Sequence, residues 1–305
     1  MALLYFLFWV RRMTRRAALE TTSAHAASVG RFYDEHGDAF LQVYGDVIQA
    51  FRTRDVSGLL DSQARAMGLQ KGMRVLDAGC GVCGPALYFA KNYGVRVDAV
   101  TVSEKQAAAA ADKILRAGLS GQVTVTPGDY HQLPSIFPGS EYDVVYFLES
   151  FGHSANKALA IDAAWKMLKP GGLLFIKDLF VKEAALPGHA RQIRRNVSRI
   201  DTAYRYRVSD LCAVLKAFRR QGFILSSLRT IDIPLEDFEN LSISNQFQEL
   251  TGINRIDDLQ SYVFPVDFFE LSGIKPWYDP NKGSNRYFLQ NLYYVQVLNH
   301  SQDEL

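Results

Sequence analysis

Between residues 70 and 180, short apolar runs alternate with longer stretches in which apolar residues recur every three or four positions. Apolar runs that end in glycine or polar residues are typical of buried parallel strands, and the intervening pattern is typical of helices. The predicted strands are 75–78, 95–102, 123–125, 142–147 and 173–177. This alternation predicts a doubly wound, mostly parallel α/β sheet over residues 70–183.

The segment ahead of the sheet, residues 1–69, has the apolar spacing of helices. From residue 28 to 51 the apolar residues mostly fall three or four apart, which predicts an amphipathic helix interrupted near Gly37 or Gly45. Residues 17–27 are compatible with a helix, and the pattern predicts another over 59–67. We therefore expect an N-terminal helical extension.

The remaining part of the chain, residues 184–305, predicts a mixture of helices and strands. The predicted elements are a helix over 204–221, a strand over 223–233, helices over 235–252 and 257–273 with a break at Pro265, and a strand over 287–297. Aromatic residues are frequent after residue 200, which favours a substrate cap in this part of the chain.

Composition excludes several classes of protein. A chain of 305 residues with 48% hydrophobic residues can bury a full core as one domain plus an extension. A net charge of +2 argues against a nucleic-acid partner held by phosphate neutralisation. Three cysteines do not make a disulfide framework and favour a reducing, cytoplasmic location.

The first sixteen residues combine an apolar run, 2–10, with an arginine-rich run, 11–16. Nine residues are too few to span a bilayer as a helix, and a secretory signal carries its positive charge before its apolar run. Three interpretations stay open: packing on a partner subunit, peripheral membrane contact, and a wrongly assigned first residue. We favour packing, which predicts a homo-oligomer.

A glycine-rich turn follows the first predicted strand. Gly79, Gly81 and Gly84 form G-x-G-x-x-G, in which the absence of Cβ lets a ligand lie on the main chain. By itself this pattern also marks dinucleotide-binding proteins. Cys80 and Cys83 lie inside the turn as C-x-x-C, but a zinc site would need a second pair. We therefore predict no metal ligands in the turn.

Five motifs in order make the chain resemble the class I S-adenosylmethionine (SAM) dependent methyltransferases. They are the glycine turn, 101–106, 128–130, 148–153 and 168–172. The resemblance implies a Rossmann-like fold with an antiparallel last strand, a helical cap insertion and N-terminal helices that close over the cofactor. The cofactor-binding residues that it implies are Asp77, Gly79, Gly81, Thr101, Ser103, Gln106, Asp129, Tyr130 and Leu148.

The end of the second predicted strand departs from the commonest pattern of that family. Many members place an acid there to bind both ribose hydroxyls. Here Thr101, Ser103 and Gln106 form T-x-S-x-x-Q, which resembles cyclopropane fatty-acid synthases and tocopherol-type methyltransferases; Glu104 is the less favoured alternative. Asp129 is expected to accept from the adenine amino group, the alternative being a surface aspartate in a turn.

The candidate catalytic residues are Glu149 and His153, which follow the fourth predicted strand as E-x-x-x-H. This arrangement resembles the sterol, tocopherol and prenyl-diphosphate C-methyltransferases. Methylation of an alkene creates a carbocation, so Glu149 would stabilise the cation or accept its proton, and His153 would support it or act as the base. The alternatives are that Glu149 has a structural role and that His153 lies outside the pocket.

Arginines interleaved with tyrosines between residues 191 and 207 could hold a diphosphate, with Mg²⁺ required only for such a substrate. A solvated helix face is the alternative. The substrate-binding candidates are Tyr33, Tyr44, Arg194 and Tyr204.

We predict a SAM-dependent C-methyltransferase that methylates an alkene carbon of a small-molecule isoprenoid, either a prenyl diphosphate or the prenyl group of a natural product. The reaction would pass through a carbocation, with or without later deprotonation or cyclisation. The alternatives are an O- or N-methyltransferase of a small aromatic metabolite, with His153 as base, and a SAM-binding protein without catalysis.

Overall fold

A computed structural model describes residues 2–50, 55–231, 240–256 and 262–277, and of residues 2–19, 187 and 240–245 it describes the backbone alone. The strands are β1 Arg74–Ala78, β2 Arg96–Thr101, β3 Val123–Pro127, β4 Tyr142–Leu148, β5 Leu168–Val181, β6 Ile224–Thr230 and β7 Val266–Ile274. The helices are α1 Ala2–Tyr44, α2 Val56–Ala66, α3 Gly84–Tyr93, α4 Glu104–Arg116, α5 Leu133–Ile136, α6 Lys157–Met167, α7 Pro187–Tyr204, α8 Leu211–Gln221 and α9 Asn240–Thr251. Two 3₁₀ turns, Tyr130–Gln132 and Phe151–His153, follow β3 and β4.

The described strands form one sheet in the order β3-β2-β1-β4-β5-β7-β6. β1 to β5 are parallel, and β7 runs antiparallel to both of its neighbours, β5 and β6. The predicted Rossmann-like class with an antiparallel strand near one edge is therefore confirmed. The strand order reverses between β1 and β4, and ligands of open α/β sheets bind at the carboxyl ends of strands at such a point.

Successive residues of the central strands point to opposite faces of the sheet, so each strand supplies both halves of the core. Val75 and Tyr146 pack in the cluster beneath α3 and α4. Their neighbours Leu76 and Phe147 pack in the second cluster, beneath α6 and α8. Burial on both faces explains why these strands read as continuous apolar runs.

Helix α1 is longer than its sequence pattern predicts. It continues through Gly37 without a break and ends at Tyr44, followed by Gly45 with φ +64°. The prediction placed an interruption near Gly37 or Gly45, and the end at Gly45 confirms it. Phe40 and Tyr44 pack against Phe247 of α9, which holds the C-terminal half of α1 across the carboxyl edge of the sheet.

The predicted helix over 204–221 forms from residue 211 onward, as α8 with Asp210 and Gly222 at its ends, whereas Tyr204 is the last residue of α7. Arg205, at φ +56°, adopts the left-handed conformation that ends α7. Asp210 then caps α8 by accepting from the backbone N–H of Ala213 at 2.7 Å.

Within the described residues, the prediction of a helix over 257–273 is wrong. Residues 266–274 form β7, which is hydrogen-bonded on both sides, to β5 and to β6. Val266 and Phe268 are buried while Asp267 between them is half-buried, so the strand alternates weakly. The predicted strand over 287–297 lies outside the described residues. No helix in the described part of the chain is both long enough and apolar enough to cross a membrane.

Candidate active site

The carboxyl ends of β1, β2 and β4 enclose a cavity together with α1 and the segment that follows it. Ten of the predicted site residues line this cavity: Tyr33, Asp77, Gly79, Gly81, Thr101, Gln106, Tyr130, Leu148, Glu149 and His153. Residues that are 120 positions apart along the chain therefore meet at one site, which lies where the strand order reverses.

In the glycine turn, the main chain of Gly81 is accessible to a ligand. A Cβ on Gly81 would have Ile48 Cδ1 and Gln106 Nε2 as its nearest neighbours, at 3.8 and 3.9 Å, so a ligand can approach its backbone. Gly79 has a different reason for being glycine, because a Cβ there would lie 2.4 Å from Cβ of Ser150. Cys80 and Cys83 are buried free thiols, and the described residues contain no cluster suited to a metal ion.

Asp77 lies at the end of β1 beneath the turn. The hydroxyl of Tyr146 donates to its Oδ2 at 3.0 Å. Burial raises the pKa of Asp77 to about 7, although the Tyr146 hydrogen bond acts in the opposite direction. A cationic group bound beside Asp77 would favour the ionised form, as expected for the residue near the methionine part of SAM.

Thr101 at the end of β2 and Gln106 in the first turn of α4 face the cavity, and Thr101 Oγ1 donates to Gln106 Oε1 at 3.0 Å. Ser103 lies behind them. Its hydroxyl accepts from the backbone N–H of Gln106 at 3.0 Å, which caps α4, and donates to Asp34 of α1 at 2.5 Å. Its predicted cofactor contact stays a prediction, and Glu104 is exposed at the first position of α4.

Asp129 carries an unsatisfied acceptor next to Tyr130 of the cavity wall. Its Oδ1 accepts from the backbone N–H and from Nδ1 of His131, at 3.0 and 2.5 Å. Its Oδ2 is buried and has no hydrogen-bond partner. Buried acceptors are normally satisfied, so this oxygen fits a donor from a ligand such as the adenine amino group of SAM.

Glu149 is part of a buried polar network. One carboxylate oxygen pairs with the ammonium of Lys177, which is fully buried in β5, and the other accepts from the backbone N–H of Ala50 at 2.5 Å. Lys177 also donates to Gln49 Oε1 at 2.7 Å. Glu149 thus fastens the segment after α1 over the cavity. Sequence reasoning missed Lys177, although a lysine within an apolar strand was a signal.

His153 is held as a neutral imidazole. Its Nδ1 donates to the carbonyl oxygen of Arg205 at 3.2 Å, which leaves Nε2 to accept from the Tyr33 hydroxyl at 2.9 Å. Burial lowers the pKa of His153 to about 3. The ring of Tyr206 lies 3.9 Å from the imidazole, centroid to centroid. The geometry therefore presents an unprotonated nitrogen and a tyrosine hydroxyl at the cavity.

The other predicted substrate residues do not reach the cavity wall. Tyr44 and Tyr204 pack in the aromatic cluster around Phe247. Arg194 is exposed on α7, and the described residues that line the cavity include no arginine or lysine. Contacts of these three residues with substrate stay predictions.

Residues 57–199 match the family described as Mycolic acid cyclopropane synthetase. The chain is 31% identical over 176 residues to the 27-O-demethylrifamycin SV methyltransferase of Amycolatopsis mediterranei, a match covering 54% of this chain and 64% of that relative. It is 28% identical over 221 residues to the sterol 24-C-methyltransferase erg6 of Aspergillus fumigatus, a match covering 70% and 53%. The chain thus spans less than two thirds of the length of these relatives.

A solved structure of the cyclase SpnF has the same fold, with a TM-score of 0.67 at 23% identity; the match covers 82% of this chain and 97% of that one. The chain is thus similar in sequence to known methyltransferases, and residues 57–199 carry the match to the cyclopropane synthetase family. The orphaned Asp129 oxygen, the open Gly81 backbone and the buried Asp77 fit SAM.

Proposed function

We propose that this chain methylates an apolar small molecule and that His153 accepts the proton which the acceptor loses. The observation that carries this proposal is the Tyr33–His153 pair at the cavity. Burial lowers the pKa of His153, so the imidazole is neutral and its Nε2 carries a lone pair that can accept a proton. Tyr33 can pass its proton to Nε2 while it takes the proton that the acceptor loses, or it can give up its place at Nε2 to the acceptor.

Bound SAM supplies a methyl group on a positively charged sulfur, which is already an activated leaving group, so orientation provides much of the rate enhancement. The residues proposed to orient it are Asp77 at the methionine end, Thr101 and Gln106 at the ribose, and Asp129 at the adenine. Apolar side chains, Val29, Ile48 and Leu148, exclude water from the space beside them.

The acceptor that we propose is an alkene carbon of an isoprenoid. Its π electrons would form the new bond to the methyl group that bound SAM would supply, the sulfur would keep the electrons of the bond that breaks, and the neighbouring alkene carbon would become cationic. The faces of Tyr33 and Tyr130 can stabilise this charge, and His153 Nε2 then takes a proton from the adjacent carbon. The match to a sterol 24-C-methyltransferase, over 70% of this chain, supports a carbon acceptor.

A prenyl group on a neutral molecule fits the cavity better than a free prenyl diphosphate. A diphosphate needs arginine, lysine or Mg²⁺ near its oxygens. Among the described lining residues none is an arginine or a lysine, and Arg194 lies on the surface of α7. We also propose that the part of the chain from residue 184 onward forms the cap of this cavity. The location that we propose for the protein is the cytoplasm.

A second candidate is O-methylation of a hydroxyl group, with the same base. The pairing of Glu149 with Lys177 favours it, because a carboxylate whose charge is already balanced stabilises a carbocation less. The match to a rifamycin O-methyltransferase, at 31% identity, supports it as well.

Both candidates are tested with isotopically labelled SAM and prenylated phenols, which offer an alkene and a hydroxyl in one molecule. Mass spectrometry and NMR of the product locate the methyl group. We expect His153→Asn to lower kcat by about 10²- to 10⁴-fold on either acceptor while S-adenosylhomocysteine still binds. His189→Asn, a histidine of α7 outside the cavity, is the matched control.

Full turnover by His153→Asn would overturn the role of the base. Failure of the unaltered protein to transfer label to any member of the panel would overturn the acceptor class. A methyl group on oxygen alone would replace the first candidate by the second.

A further inference from the structure

Three side chains from two turns form a continuous hydrogen-bonded row behind Tyr130. Asp129 Oδ1 lies 2.5 Å from His131 Nδ1, and His131 Nε2 lies 2.7 Å from Ser154 Oγ. The His131 side chain is 3% exposed, so its ring is enclosed by protein. Neither His131 nor Ser154 was among the residues predicted from sequence.

For a neutral imidazole, the row fixes which atom carries each proton. A carboxylate oxygen accepts, so His131 Nδ1 carries the hydrogen and donates it to Asp129. Nε2 is then the acceptor, and Ser154 Oγ donates to it. The same hydroxyl accepts from the backbone N–H of Asn156 at 3.1 Å, which completes its own pairing. Every polar atom in the row is satisfied except one.

The exception is Asp129 Oδ2, which is buried without a donor. Because His131 supplies two donors to Oδ1, through its backbone and its ring, the carboxylate cannot rotate without breaking both hydrogen bonds. A buried carboxylate oxygen without a donor is costly, and a ligand N–H removes that cost. The row therefore fixes the carboxylate of Asp129, which does not line the cavity itself but directly precedes Tyr130 of the cavity wall.

We propose that His131 is a positioning residue that sets the purine specificity of this site. It holds Asp129 so that Oδ2 accepts from a 6-amino purine and repels a 6-oxo purine. The inference rests on the proposed binding of SAM and deepens it. The hydrogen-bonded row also connects the proposed adenine contact to the proposed base, because Ser154, its last member, directly follows His153 in the turn after β4.

The test compares the affinities of S-adenosylhomocysteine and S-inosylhomocysteine by calorimetry, so it needs no turnover. We expect the unaltered protein to prefer the adenosyl compound by about 10- to 100-fold, the range for one charge-assisted hydrogen bond. His131→Leu should reduce this ratio to about threefold or less. The matched control His189→Leu should keep the full ratio.

Asp129→Asn gives an independent readout. The His131 N–H groups can pair only with the amide oxygen, so the amide NH₂ must take the place of Oδ2 and should reverse the preference towards the inosyl compound. A preference that His131→Leu leaves unchanged would overturn the inference. Equal weakening of both ligands by Asp129→Asn would overturn it too, and this variant decides the matter if His131→Leu does not fold. If the unaltered protein bound neither compound, the proposed function itself would fail.

Discussion

Two residues of the cavity, Glu149 and His153, have their charge state set within the protein. Glu149 is neutralised by Lys177, and His153 is uncharged because burial lowers its pKa to about 3. The E-x-x-x-H motif places both residues after β4 but says nothing about their partners. Lys177 comes from β5 and Gln49 from the segment after α1, so contacts between distant parts of the chain, rather than the motif, define how each residue can act.

The Glu149–Lys177 pair predicts a strong asymmetry between single and double variants. Glu149→Gln should destabilise the protein by about 3 kcal/mol, because it leaves a fully buried ammonium without its counter-charge. Adding Lys177→Met should recover most of that loss. Chemical denaturation of the two single variants and the double variant measures the free energies. Strictly additive effects would contradict the buried pair.

Asp77 predicts a pH-dependent stability. Its pKa is about 7 in the folded protein and near 3.8 when unfolded, so the folded state binds the extra proton between these values. The stability from the protonated carboxyl is fully present below about pH 4 and is lost as pH rises through 7. Asp77→Asn keeps an acceptor for Tyr146 and should be more stable than the unaltered protein at pH 8, by about 2 kcal/mol.

This advantage should shrink as pH falls from 8 to 4, which denaturation at a series of pH values measures. Asp38→Asn, on the exposed face of α1, is the control and should show no such trend. A stability difference that is independent of pH would refute a raised pKa for Asp77.

Among the elements, α1 does most to close the site. It supplies Val29 and Tyr33 to the cavity wall and is fastened to the start of α4, where Asp34 Oδ1 accepts from Ser103 Oγ at 2.5 Å and from the backbone N–H of Lys105 at 3.2 Å. Apolar periodicity predicted a helix here. It could not predict that the helix runs unbroken past Gly37. Packing against α9 stabilises this part of the helix, and that contact joins residues distant in sequence.

The attachment of α1 predicts the effect of Asp34→Ala. Loss of two hydrogen bonds should raise amide hydrogen exchange in the C-terminal half of α1 and weaken S-adenosylhomocysteine binding by about fivefold to tenfold. Glu35→Ala removes the neighbouring, exposed carboxylate and is the matched control. If both variants behaved alike, the attachment through Asp34 would not close the site.

Strand β7 shows why periodicity misassigned an element. Its sequence, Val-Asp-Phe-Phe-Glu-Leu-Ser-Gly-Ile, has apolar residues at helical as well as alternating spacing. Hydrogen bonds to β5 and β6 on its two sides decide for the strand. Both partners are distant in sequence, so a local pattern does not contain this information.

At the scale of the whole molecule, the apolar segment 2–10 stays the basis for a predicted homo-oligomer. Deleting residues 2–16 should lower the mass in solution, measured by light scattering, from that of an oligomer to that of a monomer. An unchanged mass would contradict packing through this segment. Flotation with vesicles then tests peripheral membrane contact, because deletion should abolish any binding.

The sequence by itself determined the alternation of strands and helices, and with it the fold and the edge of the sheet where the predicted site residues meet. This was possible because the carboxyl ends of parallel strands share one edge of a sheet, so motifs after successive strands must converge. Tertiary structure alone decided that Tyr33 pairs with His153 across 120 residues, that Lys177 neutralises Glu149, and that Arg194 lies away from the cavity. Those outcomes depend on how α1, β5 and α7 pack on the sheet, and no local pattern in the chain encodes that packing.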